Sequence, residues 1–246
     1  MKRTAMAAAL ASLALPAQAE EVTYKVGDES FTGYFAGAED PKGLVVIVHD
    51  WDGMTDYEKR RADMLAEMGY DAFALDMFGD TTPTETVDHR KAATGALYQD
   101  RERMRALIRA GLDQAAGQSS AGAPVVVGYC FGGAVALEMA RSDIAGEARG
   151  YATFHGGLAT PEGQSYAEGV PPLAIYHGGA DTAIPMADVA ALSQQLETAG
   201  ATYRIEVFSG APHAFTVIGS DRYQERADRL SWDDFTAFLA ERSGEG

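Results

Sequence analysis

One cysteine, five histidines and a scatter of loop carboxylates are the side chains of this sequence whose types suit bond-making chemistry. The cysteine, Cys130, lies in "PVVVGYCFGGAVALEMA" (124–140), between an apolar run and a helical one. A thiol there is a small buried hydrophobe, a metal ligand or a nucleophile. Gly128-Tyr129-Cys130-Phe131-Gly132 has the strand–turn–helix form of a nucleophile elbow, with Cys in place of Ser. Glycines flank such a residue for a steric reason. The central residue takes a strained backbone conformation while neighbouring chains come close, so a side chain at either flank would clash. The turn lifts the sulfur above the strand ends and aims the next helix at it, and the helix dipole and free N–H groups favour thiolate. A phosphate-binding glycine loop is excluded, because no Lys-Ser/Thr follows the glycines and the dinucleotide spacing is not met.

A thiol nucleophile needs a base, and the base needs an orienting acid. After such an elbow the acid comes next in the chain and the histidine last. "YHGGADTAIP" supplies Asp181 in a turn after a strand, and "SGAPHAFT" supplies His213 between the last strand and the last helix. An imidazole at 213 takes the thiol proton, and a carboxylate at 181 fixes its tautomer and stabilises the imidazolium. His155 and His177 are the rival bases and Asp76 the rival acid. His155 and Asp76 break the expected order, and His177 reads as a packed strand-end residue. A metal site from His49, Asp50 and His155 lacks the usual close ligand spacing. Thiolate zinc is excluded by the single cysteine. No metal or organic cofactor is expected.

These groups need elements to carry them. "VTYKV" and "ESFTGYFA" read as opening strands joined at Gly27-Asp28. "GLVVIVHD" (43–50), "DAFALDMFG" (71–79), "APVVVGY", "ARGYATFHG", "PLAIYHG" and "TYRIEVFSG" read as further strands. Helical patterns fall between them: 56–70, 98–115 with Met104, Leu107, Ile108 and Leu112 on one face, 131–142, 186–200 and 222–242. The stretch 80–98 shows no clear element. This alternation predicts one α/β domain with a mostly parallel central sheet and helices on both faces. Ligands in such sheets bind beyond the carboxyl ends of the strands. His49, Asp50, Cys130, His155, His177, Asp181 and His213 all fall there, which places four of the five histidines near the mouth of a cleft.

The first residues, "MKRTAMAAALASLALPAQAEE", have a basic start, an apolar stretch from Ala5 to Leu15 and a small-x-small site at Ala17-Gln18-Ala19. They read as a secretory signal (1–19) ahead of a mature domain (20–246). The apolar stretch is too short to span a bilayer. The mature chain is expected to be exported, to the periplasm of a two-membraned cell or to the medium. Its formal charge of −16 grows by two more when Lys2 and Arg3 leave. That charge repels nucleic acid and anionic lipid within a Debye length of about 8 Å, so no nucleic-acid or membrane partner is expected. A monomer acting on a small molecule is. One thiol in an oxidising compartment cannot pair within its chain, so something must shelter it or use it.

"VHDWDGMTDYEKRRADMLAEMGYDAFALDMFG", "GYCFGG", "YHGGADTAIP" and "GAPHAFT", in this order, resemble the dienelactone hydrolase family of α/β-hydrolases from about residue 30 to 240. The resemblance implies a single-domain α/β-hydrolase fold with Cys130 as nucleophile, His213 as base and Asp181 as its acid. It also implies backbone N–H groups of Phe131 and Trp51 as the oxyanion hole. In that family an acidic residue, usually Glu, holds the resting thiol protonated and away from the base; Asp50 stands at that place here. Family enzymes grip a substrate carboxylate with arginines. The corresponding places here are Gly79-Asp80-Thr81 and Val217, and Arg90 is the nearest substitute in sequence. Trp51, Phe78, Phe131 and Phe215 suggest an apolar or aromatic pocket instead.

The reading is a cysteine-dependent hydrolase of carboxylic esters or lactones working through a thioester. A broad carboxylesterase or thioesterase stands beside it, as does a silent binding or redox-sensing domain in which Cys130 is oxidised rather than acylated.

Overall fold

In the computed structural model, which describes residues 18–243, the branched apolar runs become strands buried on both faces. Leu44–Val48 (β3), Asp71–Leu75 (β4), Val125–Tyr129 (β5), Gly150–Phe154 (β6) and Leu173–Gly178 (β7) are buried at every residue. Gln18–Val26 (β1) and Glu29–Gly37 (β2) form the opening hairpin, and Tyr203–Phe208 (β8) closes the sheet. The expected signal sequence falls largely on residues 1–17, outside the described residues.

The eight strands run in the order β1-β2-β4-β3-β5-β6-β7-β8. From β4 to β8 all pairings are parallel; β2 runs antiparallel to both neighbours. Side-chain alternation sends Val46, Val48 and Val126 to one face and Val45, Ile47, Val125 and Val127 to the other. The second face is covered by Asp56–Glu67 (α1) and Glu225–Ser243 (α6), through Leu65, Phe235 and Phe238. The first is covered by Val87–Gln99 (α2), Arg101–Gln118 (α3), Phe131–Ala140 (α4) and Met186–Thr198 (α5). This is the expected α/β architecture.

Several boundaries differ from the sequence expectation, three of them for a local reason. Residues 80–98, left without an element, contain most of α2. Thr86 caps that helix by accepting from the His89 N–H at 3.1 Å, but only Ala93, Thr94 and Leu97 are buried, so its apolar face is narrow. The helix expected over 98–115 begins later. Asp100 ends α2 and caps α3 by accepting from the Arg103 N–H at 2.8 Å, which leaves Tyr98 on α2. The strand expected over 71–79 stops at Leu75. There the Asp76 carboxylate turns back onto the N–H groups of Phe78 (2.8 Å) and Gly79 (3.1 Å).

The register brings the carboxyl ends of β3, β5, β6, β7 and β8 level. Val48 pairs with Gly128, Tyr129 with Phe154, Phe154 with Tyr176, and Gly178 with Phe208. The loops that leave these ends carry Asp50, Cys130, His155, Asp181 and His213.

Candidate active site

The turn from β5 into α4 is built by close backbone approach. A Cβ on Gly128 would lie 1.9 Å from the Gly132 carbonyl oxygen, and one on Gly132 would lie 2.2 Å from that of Val48. Cys130 itself has φ +50° and ψ −109°, a strained conformation for a residue with a side chain. It is held from both sides. Its N–H donates to the Phe154 carbonyl (3.1 Å), and its carbonyl accepts from Gly133 (3.1 Å) and Gly157 (3.2 Å).

His213 and Asp181 arrive from the loops after β8 and β7. Nε2 of His213 lies 3.1 Å from Cys130 Sγ, and its Nδ1 lies 2.8 Å from Asp181 Oδ2. The other oxygen of Asp181 accepts from the N–H groups of Ala183 (2.8 Å) and Ile184 (2.9 Å). Burial opposes charge on Asp181, but the hydrogen bonds from His213 and these N–H groups outweigh it and hold the carboxyl below its usual range. An ionised carboxylate only accepts, so Nδ1 of His213 bears the hydrogen and Nε2 presents its lone pair to the sulfur. The three side chains converge at the sheet edge.

The N–H groups of Phe131 and Trp51 both reach the Cys130 sulfur. They favour thiolate, as the elbow predicts, yet they do not prevail. Burial pushes the thiol up, the neighbouring Asp50 adds to it, and the resting sulfur carries its proton. Asp50 is buried, and its Oδ1 has no hydrogen-bond partner among the described residues. Burial, followed by the charges of Glu58 and Asp52, keeps its carboxyl well above the usual range.

The sequence overlooked Glu58, which braces the loop that carries Trp51. It is fully buried on α1 and accepts from the Asp50 N–H (3.3 Å), the Thr55 N–H (2.9 Å) and the Thr55 hydroxyl (2.6 Å). The Thr55-x-x-Glu58 capping box was the available signal. Tyr98 was overlooked too. Its ring packs edge-on to Phe131 at 5.5 Å, although the side chain is exposed overall.

Other expectations need correction. Of the four histidines expected near the cleft mouth, His49, His155 and His177 are buried beneath it. His49 uses both ring nitrogens, one on the Asp50 carbonyl and one accepting from the Met77 N–H at 3.0 Å, and so is unavailable to a metal. Among the described residues no three His, Cys, Asp or Glu side chains come together as a metal site. Asp76, the rival acid, is consumed in its own turn. Phe215 does not wall the pocket. It packs on the α6 face of the sheet against Phe208 and His155, because the histidine loop turns inward after Ala214. Phe78 and Phe131 do adjoin each other, at 5.3 Å. Arg90 lies over the Trp51 ring at 5.7 Å, with Nε donating to the Thr84 carbonyl at 2.7 Å and Nη1 3.8 Å from Asp52.

The profile of the dienelactone hydrolase family matches residues 31–243, nearly the whole described chain. The chain belongs to that family. It is a hydrolase of carboxylic esters. Among solved structures it is similar to a dienelactone hydrolase-like promiscuous phosphotriesterase from metagenomic libraries. That match has 27% identity and a TM-score of 0.82 over 92% of this chain and 98% of that one. It also shares its fold with esterase 2 of Thermogutta terrifontis, at 19% identity and a TM-score of 0.63, over 91% of this chain and 94% of that one. No curated protein matches this dienelactone hydrolase-family chain.

Proposed function

We propose that this hydrolase works by covalent catalysis at Cys130, on neutral esters or lactones with an apolar or aryl part. The observation that carries the reading is the contact of Sγ with His213 Nε2 at 3.1 Å, with His213 braced on Asp181 at 2.8 Å. The resting thiol is uncharged, which suits a lone cysteine outside the reducing cytosol, since thiolate is the form that oxidises. As the substrate carbonyl enters, Cys130 S–H passes its proton to His213 and the sulfur attacks the carbonyl carbon. Asp181 balances the imidazolium. The negative charge on the former carbonyl oxygen is met by the N–H groups of Phe131 and Trp51. The tetrahedral intermediate collapses, His213 protonates the leaving alkoxide, and a thioester remains. Water, deprotonated by His213, then attacks the thioester, and the acid and the free thiol are released. Apart from the substrate and water, every step uses this chain's own groups.

Asp50 is the thiol switch in this reading. Its carboxyl keeps the resting sulfur protonated, although the sulfur already faces His213 rather than standing apart from it. Asp50→Asn is expected to lower the thiol's pKa, because carboxylate and thiolate oppose each other's ionisation and Asp50 comes second only to burial among the influences raising the thiol. Alkylation of Cys130 by iodoacetamide, followed across pH, should therefore accelerate at neutral pH in the variant. Unchanged alkylation removes Asp50 from the switch.

Substrate charge follows from the surroundings. Asp50 and Asp52 lie near the sulfur and Arg90 is engaged by Asp52, Thr84 and Trp51, which disfavours an anionic acyl group even though the charge of Arg222 also acts on Asp50. The reading is tested by incubating the protein with p-nitrophenyl esters and weighing it during turnover. An acyl adduct on Cys130 is expected; an oxidised sulfur with no turnover would mark a sensor instead. The resemblance to a phosphotriesterase, with donors that suit a phosphoryl oxygen equally, extends the reading to neutral phosphotriesters. Paraoxon should release at least one p-nitrophenol per Cys130, and none from Cys130→Ala.

We also place the mature chain outside the cytoplasm, as a monomer starting at residue 20. Cleavage after Ala19 removes only the outermost two residues of β1, both exposed. The intact mass of protein recovered from the exported fraction tests it.

A further inference from the structure

A run of buried polar groups beneath the histidine loop takes no part in the steps above. Arg61, on α1, is 1% exposed, one of the largest side chains so enclosed. Its Nε donates to the Tyr57 hydroxyl at 3.3 Å, and its Nη2 donates to the Thr216 carbonyl at 3.0 Å and pairs with Asp228. The guanidinium lies over the rings of Tyr57 and Trp232, at 5.2 and 4.8 Å. The Tyr57 hydroxyl lies 2.6 Å from Thr216 Oγ1, and Thr216 Oγ1 lies 2.8 Å from His155 Nε2. The chain of contacts ends at the His155 ring, which stands edge-on to His213 with centroids 5.4 Å apart.

Three features show that this arrangement is held against a cost. Burying a guanidinium costs several kcal/mol unless its donors are met, and here carboxylate, carbonyl and hydroxyl meet them. His155 and Ala214, on either side of the contact with His213, both have positive φ, +42° and +63°. His155 Nδ1 is buried with no hydrogen-bond partner among the described residues. Burial, then the neighbouring His213, also holds His155 uncharged, so it adds no repulsion when His213 takes up a proton.

We propose that Thr216, tied to Tyr57 and Arg61 on one side and to His155 on the other, positions His213 against the nucleophile. Helix α1 is the common support. Glu58 on that helix braces the loop bearing the Trp51 N–H, and Tyr57 and Arg61 brace the loop bearing His213. One rigid element thus fixes the distance between the base and the oxyanion donors. Tyr57, Arg61, His155 and Thr216 are positioning residues. They act through His213, so the inference rests on its role as base.

The test compares Thr216→Val, Thr216→Ser and Tyr57→Phe with the unaltered protein, by steady-state kinetics on a p-nitrophenyl ester and by thermal melting. Val keeps the shape but removes the hydroxyl, so kcat is expected to fall roughly 10- to 100-fold with KM little changed, as for a small misplacement of a reacting group. Ser keeps the hydroxyl and should restore most of kcat. Tyr57→Phe leaves Thr216 intact and should lower kcat in the same way, which covers the case of a Val variant that does not fold. Full kcat in Thr216→Val or Tyr57→Phe, with only a lowered melting temperature, would overturn the inference. His213→Ala run in parallel separates the two claims. If it stays active the base assignment fails; if it is dead while Thr216→Val is unimpaired, only the positioning role fails.

Discussion

Cys130→Ala is expected to lose at least about 10⁴-fold in kcat on an aryl ester, and His213→Ala nearly as much, since residues acting as one unit fail together. The double variant should be hardly worse than either single one. The residual rate comes from the Phe131 and Trp51 N–H groups, which neither change removes. Cys130→Ser should recover little. The unshifted hydroxyl holds its proton far more tightly than a thiol, and the burial that already raises the thiol here works equally against an alkoxide. A Ser variant as fast as the parent would mean that the base handles either nucleophile, and the thiol-specific reading would fall. Stopped-flow release of p-nitrophenol, with the enzyme weighed at each time point, separates acylation from deacylation.

The second large effect is on folding. Gly128→Ala is expected to destabilise the protein by about 4 kcal/mol or more. Its new methyl would sit 1.9 Å from the Gly132 carbonyl oxygen and 2.1 Å from its carbon, and neither is a side chain that can swing aside. Gly132→Ala meets the Val48 backbone in the same way. For a chain of this size such a loss lowers the melting temperature by roughly 10 °C, or leaves the protein insoluble. Gly95→Ala provides the contrast. It lies inside α2 with nothing within 4 Å of the added carbon, so roughly 0.5–1 kcal/mol of stabilisation is expected from the lost backbone freedom of the unfolded chain. Calorimetry of the three variants checks both signs. A soluble Gly128→Ala protein with an unchanged melting temperature would show that the elbow is looser than its contacts indicate.

Much of this was legible before any coordinates, for a local reason. A nucleophile elbow is written in consecutive residues, because the same five positions must supply a strand end, a strained turn and a helix start. Branched apolar runs such as "LVVIV" admit little besides a strand covered on both faces. The order acid then histidine is legible too, since each follows its own strand. Helix α2 was not legible. Its apolar face is only three buried residues wide, and caps such as Thr86 and Asp100 announce a helix without separating one helix from the next. Phe215 misled because an aromatic two residues past a histidine says nothing about which way the chain turns after it.

By itself, then, the sequence determined the parallel sheet, the loops that leave it and the choice of Cys130, Asp181 and His213 as side chains that meet. The tertiary structure decided the rest. It placed burial ahead of Asp50 among the influences that keep the thiol's proton, spent His49 and His155 beneath the strand ends, and drew Glu58 and Arg61 from the surface of a helix into its supports. The physical reason is that burial and pairing are properties of neighbours brought from far along the chain. Arg61 meets Asp228 and Thr216 only once α1 and α6 share one face of the sheet. A charged side chain at helical spacing reads as solvated until the groups that enclose it are in place.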